Sequence, residues 1–290
     1  MELPGFLDDP VVRRWLGGVE PAWTLLTIDD MKALQQEPSR ENRALSLAYD
    51  LTETEIATSA VARNILIVLR RASEGDGLKL TQAGNLSRAA VTEMVELFEW
   101  PSFGRTKAFW VESAIAEPDF LPLLFVRRLA QMANLVRPYR GSLKTTRLGH
   151  DILKVDRQRA LLAVLFHTTF WSADLSYIGR GIHGSWPQGE IGVALWSLSI
   201  AATHWRTSKQ LVRLCTIPVS GILAANLDIG SLIMEARILR PLVWFGLLES
   251  RVEKKVRVRH SERCLYRKAP LFDRFLTFDV RTELPEAVRH

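Results

Sequence analysis

Cysteine is nearly missing from this 290-residue chain, which holds only Cys215 and Cys264. Two thiols are too few for a disulfide framework or any all-cysteine metal site, and they suit a reducing cytoplasm. Long uncharged runs are missing too. The longest stretch free of Lys, Arg, Asp and Glu runs from Ile191 to Trp205, short of the ~20 residues that a membrane span needs. It also carries Ser197, Ser199, Thr203 and His204, so no membrane partner is expected. The opening residues MELPGFLDDP lack a basic-then-apolar leader, so a cytoplasmic rather than an exported protein is expected. Apolar residues at 47% and charged residues at 24% are those of an ordinary globular chain. The length suffices for one large domain or two small ones.

Catalytic signatures are equally scarce. The six histidines form no HExxH and no Cys/His pair at zinc spacing, and there is no GxGxxG, P-loop or GxSxG. Asp174 has no carboxylate neighbour with which to share acid and base roles. His167 and His204 lie in apolar helical stretches and read as hydrogen-bonded core or boundary residues. The run Gly179-Arg180-Gly181-Ile182-His183-Gly184 lacks the strand-then-helix context of a phosphate loop and reads as a loop. A non-catalytic protein without cofactor or metal is expected.

What the chain has is charge asymmetry. Residues 1–56 carry five Lys/Arg against eleven Asp/Glu, whereas 121–180 carry ten against three and 251–268 eight against two. Basic clusters of this kind concentrate polyanions, although a charge run is also what solvates an exposed face. Residues 1–50 are punctuated by Pro4, Pro10, Pro21 and Pro38 around Trp15 and Trp23, an arm of short helices whose tryptophans need something to pack on.

Beyond the arm the pattern changes. Thr52 and Glu55 have capping-box spacing, with Thr58 and Ser59 as later caps, ahead of Val61, Ile65, Val68 and Leu69 on one helical face. A turn at Glu74–Gly77, a short strand at Leu78 and Leu80, and a helix capped by Ser87 follow. Residues 99–118 read as an insertion or long loop. A third helix from Asp119 to about Asn134, a hairpin over 135–145 and a further helix after Thr146 complete the order of a winged helix-turn-helix.

A second copy is read from an apolar helix near 190–204, a helix capped at Thr207-Ser208, and a third helical stretch over 231–245 that Pro241 must kink or divide. A longer hairpin from Glu249 to Lys268 follows, with His260-Ser261-Glu262 at its tip. The competing reading is one irregular helical domain with two unrelated hairpins. The expected fold is mainly α with small β-hairpins: an acidic amino-terminal arm (1–56), a first winged-helix unit (57–170) and a second (171–290).

The strand and helix start Leu78-Lys79-Leu80-Thr81-Gln82-Ala83-Gly84-Asn85-Leu86, with Trp100 beyond, and Gly141-Ser142-Leu143-Lys144-Thr145-Thr146-Arg147-Leu148-Gly149 form two motifs. They resemble the winged-helix region of a bacterial Ri-plasmid open-reading-frame family, over roughly residues 60–170. The resemblance implies a winged-helix fold and a bacterial, mobile-element setting. It implies no reaction.

In a winged helix the third helix enters the major groove and the hairpin touches the backbone. Arg127, Gln131 and Asn134 recur at i, i+4 and i+7 with Arg128 beside them, a stripe of side chains suited to base edges, or simply a solvated polar stripe. Arg137, Arg140, Lys144 and Arg147 are candidates for phosphates. In the second hairpin Arg251, Lys254, Lys255, Arg257 and Arg259 are further candidates, alternation placing all but Lys254 on one face with Glu253. Charge there also guards a sheet edge against aggregation. The function expected is non-catalytic binding of nucleic acid, DNA first. The alternative is an interaction module for a protein partner or a second copy of the chain, which nine tryptophans and the apolar 191–205 helix favour.

Overall fold

The computed structural model describes residues 3–101, 115–177, 184–225, 227–252 and 264–281. It is mainly helical with three small antiparallel sheets, and it divides into two compact units, residues 49–173 and residues 1–48 with 174–290. Among the described residues no helix is long and apolar enough to cross a membrane.

The first 48 residues do not stand apart as an arm. They supply α1 (Leu3–Asp8), α2 (Pro10–Leu16), a tight 3-10 turn (Ala22–Leu25), α3 (Ile28–Gln35) and β1 (Leu45–Leu47) to the discontinuous unit. Trp23 is wholly buried, and its Nε1 donates to the Thr216 carbonyl at 3.0 Å. The need of two tryptophans for a packing partner is met within that unit, where Trp15 is buried as well.

The inserted unit, 49–173, begins with α4 (Glu53–Thr58) and α5 (Ala60–Ser73). Thr52 and Glu55 form the capping box and Ser59 caps α5, so both spacings in the sequence are used, for two helices rather than one. α4 packs on α5, so the unit starts ahead of the expected boundary at 57. β2 (Leu78–Lys79) leads to α6 (Arg88–Leu97), capped by Ser87, which buries Val91, Met94, Val95 and the following Phe98. Most of the expected insertion, 102–114, lies outside the described residues.

α7 (Leu121–Met132) follows. Asp119 is not its cap: it sits in the preceding 3-10 turn and accepts the Ala116 N–H at 3.2 Å. β3 (Val136–Tyr139) and β4 (Ser142–Thr145) form the expected hairpin. Its two-residue turn, Arg140-Gly141, takes φ of 48° and 75°, the left-handed pair that matches strand twist. β4 lies between β2 and β3, and α8 (Arg147–Ile152), capped by Thr146, and α9 (Leu161–His167) close the unit. His167 stacks on Trp171, 5.6 Å between centroids.

In the discontinuous unit α10 (Ile191–Ala201) is apolar all round and is therefore enclosed, with α3 and the Ala22–Leu25 turn packed against it. β5 (Arg206–Thr207), α11 (Ser208–Cys215), with a capping box at Thr207 and Gln210, and the short α12 (Ser220–Leu223) come next. His204 is exposed beyond the end of α10 rather than at its boundary. α13 (Leu227–Met234), a wide π turn (Glu235–Leu239) and α14 (Arg240–Trp244) run on as one helical path. Pro241 does not divide it. The wide turn just ahead re-aims the carbonyls that the missing N–H leaves unpaired. β6 (Leu248–Val252) and β7 (Cys264–Lys268) pair as the second hairpin, whose expected tip is outside the described residues. α15 (Pro270–Phe275) and β8 (Leu276–Phe278) end the fold, β8 pairing with β1.

The two units repeat one plan. Each has helix, strand, helix, helix and hairpin, with the last strand in the centre of its sheet: β2-β4-β3 and β5-β7-β6. The match holds at single residues. Leu78 faces Leu143 and Lys79 faces Ser142, as Arg206 faces Tyr266 and Thr207 faces Leu265. Both third helices end in a Schellman motif with a left-handed residue, Asn134 at φ 55° and Gly246 at φ 77°. The N–H of Leu135 reaches the Ala130 carbonyl at 2.8 Å, and that of Leu247 reaches Leu242 at 2.9 Å. Thr146 and Ala269 then return to the carbonyls of Leu135 and Leu247 at 2.9 and 3.0 Å.

Candidate nucleic-acid interface

The structure does not keep the stripe on α7 together. Arg127 is only 6% exposed: its Nε donates to the Glu117 carboxylate, itself wholly buried, and its Nη1 donates to Gln131 Oε1 at 2.6 Å. The second Glu117 oxygen accepts the Leu86 N–H at 2.7 Å. Arg127 is thus a buried strut between α7, the turn before it and the approach to α6, and Gln131 is tied to it. Arg127 is not the outward reader expected, and Gln131 is half-buried with its amide oxygen engaged. The reason is helical phase: Arg127 is four residues after Leu123 and three before Ala130, in the buried row of α7. Arg128 is exposed, and so is Asn134, although Asn134 lies in the Schellman turn with its carbonyl accepting Thr146 Oγ1 at 2.7 Å.

The hairpin assembles more of the expected set. By register Arg137 faces Lys144, Tyr139 faces Ser142, and Ser142 faces Lys79 on its other side. Paired residues share a face, so Lys79, Arg137, Tyr139 and Lys144 stand together on one side of the sheet. The opposite side carries Leu78, Val136 and Leu143, all buried. Tyr139 is 46% exposed, with the guanidinium carbons of Arg137 and Arg140 at 5.6 and 5.2 Å from its ring centroid. Lys144 Nζ donates to the Gly75 carbonyl at 2.8 Å, and Arg147 is exposed at the first turn of α8. Two cations directly opposite each other, Arg137 and Lys144, repel, and an anion over the pair relieves that repulsion. The local field registers at Asp151, whose carboxyl is held below its usual range first by a hydrogen bond from Lys154 and further by Arg147 and Arg157. Lys79 and Tyr139 belong to this face and were missed from the sequence. The signal for Lys79 was its alternation with Leu78 and Leu80.

The second repeat is arranged differently. On its third helix Glu235 and Arg237 are buried, Arg237 Nη1 donating to the Gly184 carbonyl at 2.6 Å and to that of Trp186, and Arg240 pairs with Glu235 at 3.2 Å. The exposed face of α13 instead shows Ile229 and Leu232, the latter 50% exposed. On the hairpin, Arg251 is exposed with its guanidinium carbon 4.4 Å from the Trp205 ring centroid. Lys254, Lys255, Arg257 and Arg259 lie outside the described residues.

Among the described residues no three His, Cys, Asp or Glu side chains converge as a metal site. Both thiols are buried, and burial pushes that of Cys215 well above its ordinary range, which leaves it inert as a nucleophile.

Residues 57–159 match the sequence model of a family described as the Y4jL N-terminal domain. That span takes in α5 to α8 and the whole first hairpin, and both motifs singled out in the sequence fall inside it. No curated protein and no solved structure matches the chain.

Proposed function

We propose that this chain is a non-catalytic, cytoplasmic nucleic-acid-binding protein built on two winged helix-turn-helix repeats, of which the first holds duplex DNA. The winged-helix reading is supported by the order helix, strand, helix, helix, hairpin and by the central position of the last strand, repeated in both units. In that reading α7 is the groove helix and β3–β4 the wing. The observation that carries the functional reading is the sheet face bearing Lys79, Arg137, Tyr139 and Lys144, with Arg140 and Arg147 adjoining and two cations directly opposed.

Binding on this reading is dominated by phosphate contacts. Base reading is modest, because Arg127 is committed to the interior, the Gln131 amide oxygen is engaged by it, and α7 offers Arg128 as its exposed cation. The test is an electrophoretic mobility titration against a random duplex and its single strands at two ionic strengths. Duplex should be retarded at ~50 mM salt and released towards ~200 mM. Arg137→Glu with Arg140→Glu should abolish retention. Retention that survives this charge reversal refutes the reading.

A second reading is favoured by Ile229 and Leu232 on α13: an interaction surface of the second repeat for a protein partner or a second copy of the chain.

A further inference from the structure

The third helix of the second repeat offers apolar side chains where a groove helix needs donors, yet its sheet keeps its cations. β7 runs between β5 and β6, and the register places Thr207, Glu249, Arg251, Leu265 and Arg267 on one face. Trp205, two residues before Thr207, joins them. In the shared frame of the two repeats Arg251 stands where the first repeat has Tyr139, and Arg267 where it has Lys144. The equivalent faces of both sheets therefore combine an aromatic ring with cations, although the ring comes from different strands.

The geometry is tighter in the second repeat. The guanidinium carbons of Arg251 and Arg267 lie 4.4 and 4.9 Å from the Trp205 ring centroid, and Arg267 also bonds Glu249 at 2.7 Å. A guanidinium attracted to a ring by its flat face keeps its in-plane N–H donors for an acceptor. The ring also fixes the side chain beforehand, so less freedom is lost when a ligand arrives. Two cations gathered on one ring repel each other, and Glu249 offsets only Arg267. Arg251 is exposed, with no carboxylate among the described residues within ion-pair distance.

We infer that Trp205, Arg251 and Arg267 form a seat for a backbone phosphodiester of nucleic acid, which makes the second repeat a sequence-blind clamp in addition to the first. This rests on the nucleic-acid reading above and adds a site to it. Arg251 is the contacting residue, and Trp205 and Arg267 are positioning residues.

The test measures affinity for a random 25-base-pair duplex and for one of its strands across ~50 to ~200 mM salt. Arg251→Ala alters an exposed side chain and should leave thermal unfolding in place. It should weaken binding of both probes about three- to tenfold at low salt and lower the slope of log affinity against log salt by about one. Trp205→Leu removes no charge, so a purely electrostatic role predicts no change, whereas loss of the brace predicts a severalfold weakening. Arg251→Lys should restore the slope but only part of the affinity. If the parent protein binds, and loses binding on charge reversal at Arg137 and Arg140, but Arg251→Ala matches the parent on both probes, the clamp is overturned and the first reading stands. If the parent protein binds neither probe, both fall.

Discussion

Replacing Arg127 by Met separates a reader from a strut. The Glu117 carboxylate is wholly buried and Arg127 nearly so, and the carboxylate has one further donor, the Leu86 N–H. Removing the cation leaves a buried negative charge with a single hydrogen bond, which costs about 3–5 kcal/mol. In a unit of this size that lowers the melting temperature by on the order of 10–20 °C. Adding Glu117→Leu removes the stranded charge and should recover much of the loss, but not all. The Leu86 N–H then goes unpaired, at about 1–3 kcal/mol. Urea unfolding of the parent, the two single variants and the double variant closes the cycle and isolates the coupling. Duplex affinity measured at low temperature, where the single variants remain folded, should stay within about twofold of the parent, because the contact never faces the ligand. An Arg127→Met protein as stable as the parent, or one of full stability whose duplex affinity has collapsed, would refute the buried-strut assignment.

Two further outcomes follow from the discontinuous unit. Glu190 precedes α10 with Oε2 shut from water and without a hydrogen-bond partner among the described residues, and burial pushes its carboxyl from an ordinary 4.5 up to about 7. Because the folded state holds that proton more tightly, the stability it contributes is full below about pH 4.5 and is lost as pH rises through about 7. The urea midpoint should therefore fall across that window by the equivalent of about 3 kcal/mol, and Glu190→Gln should flatten the slope. Gly192 lies where α10 meets α3, and a Cβ there runs into the Leu34 backbone carbonyl. Gly192→Ala should cost at least about 2 kcal/mol in a melt despite the better helix propensity of alanine. A neutral result would show that the two helices do not approach so closely.

Local physics was legible in the sequence and long-range pairing was not. Thr52, Ser59, Ser87 and Thr207 announced their helix starts because a cap is a relation across three residues. The first hairpin was legible from a glycine turn between apolar residues, and the second as a span from Glu249 to Lys268 whose described strands are Leu248–Val252 and Cys264–Lys268. The integration of residues 1–48 was not. It rests on contacts such as Trp23 with the Thr216 carbonyl and on the pairing of Leu45–Leu47 with Leu276–Phe278, which no local pattern encodes. The wide turn before Pro241 was hidden for a similar reason, since proline marks a break without saying how the helix absorbs it. At the site, the cations of the first hairpin were legible only as basic residues around a glycine turn, and the register is what puts Arg137 and Lys144 on one face. The stripe on α7 failed because an arginine at the edge of a helix face goes in or out according to its partner, and that partner, Glu117, precedes the helix. Aromatic bracing of the cations by Tyr139 and Trp205 depends on sheet register and became visible only with it.

The most direct measurement is the salt dependence of duplex binding by the parent protein beside Arg137→Ala with Arg140→Ala. The proposed phosphate face predicts a linear fall of log affinity with log salt, and a slope about two units shallower in the double variant. Affinity that does not respond to salt, or equal slopes for the two proteins, contradicts it.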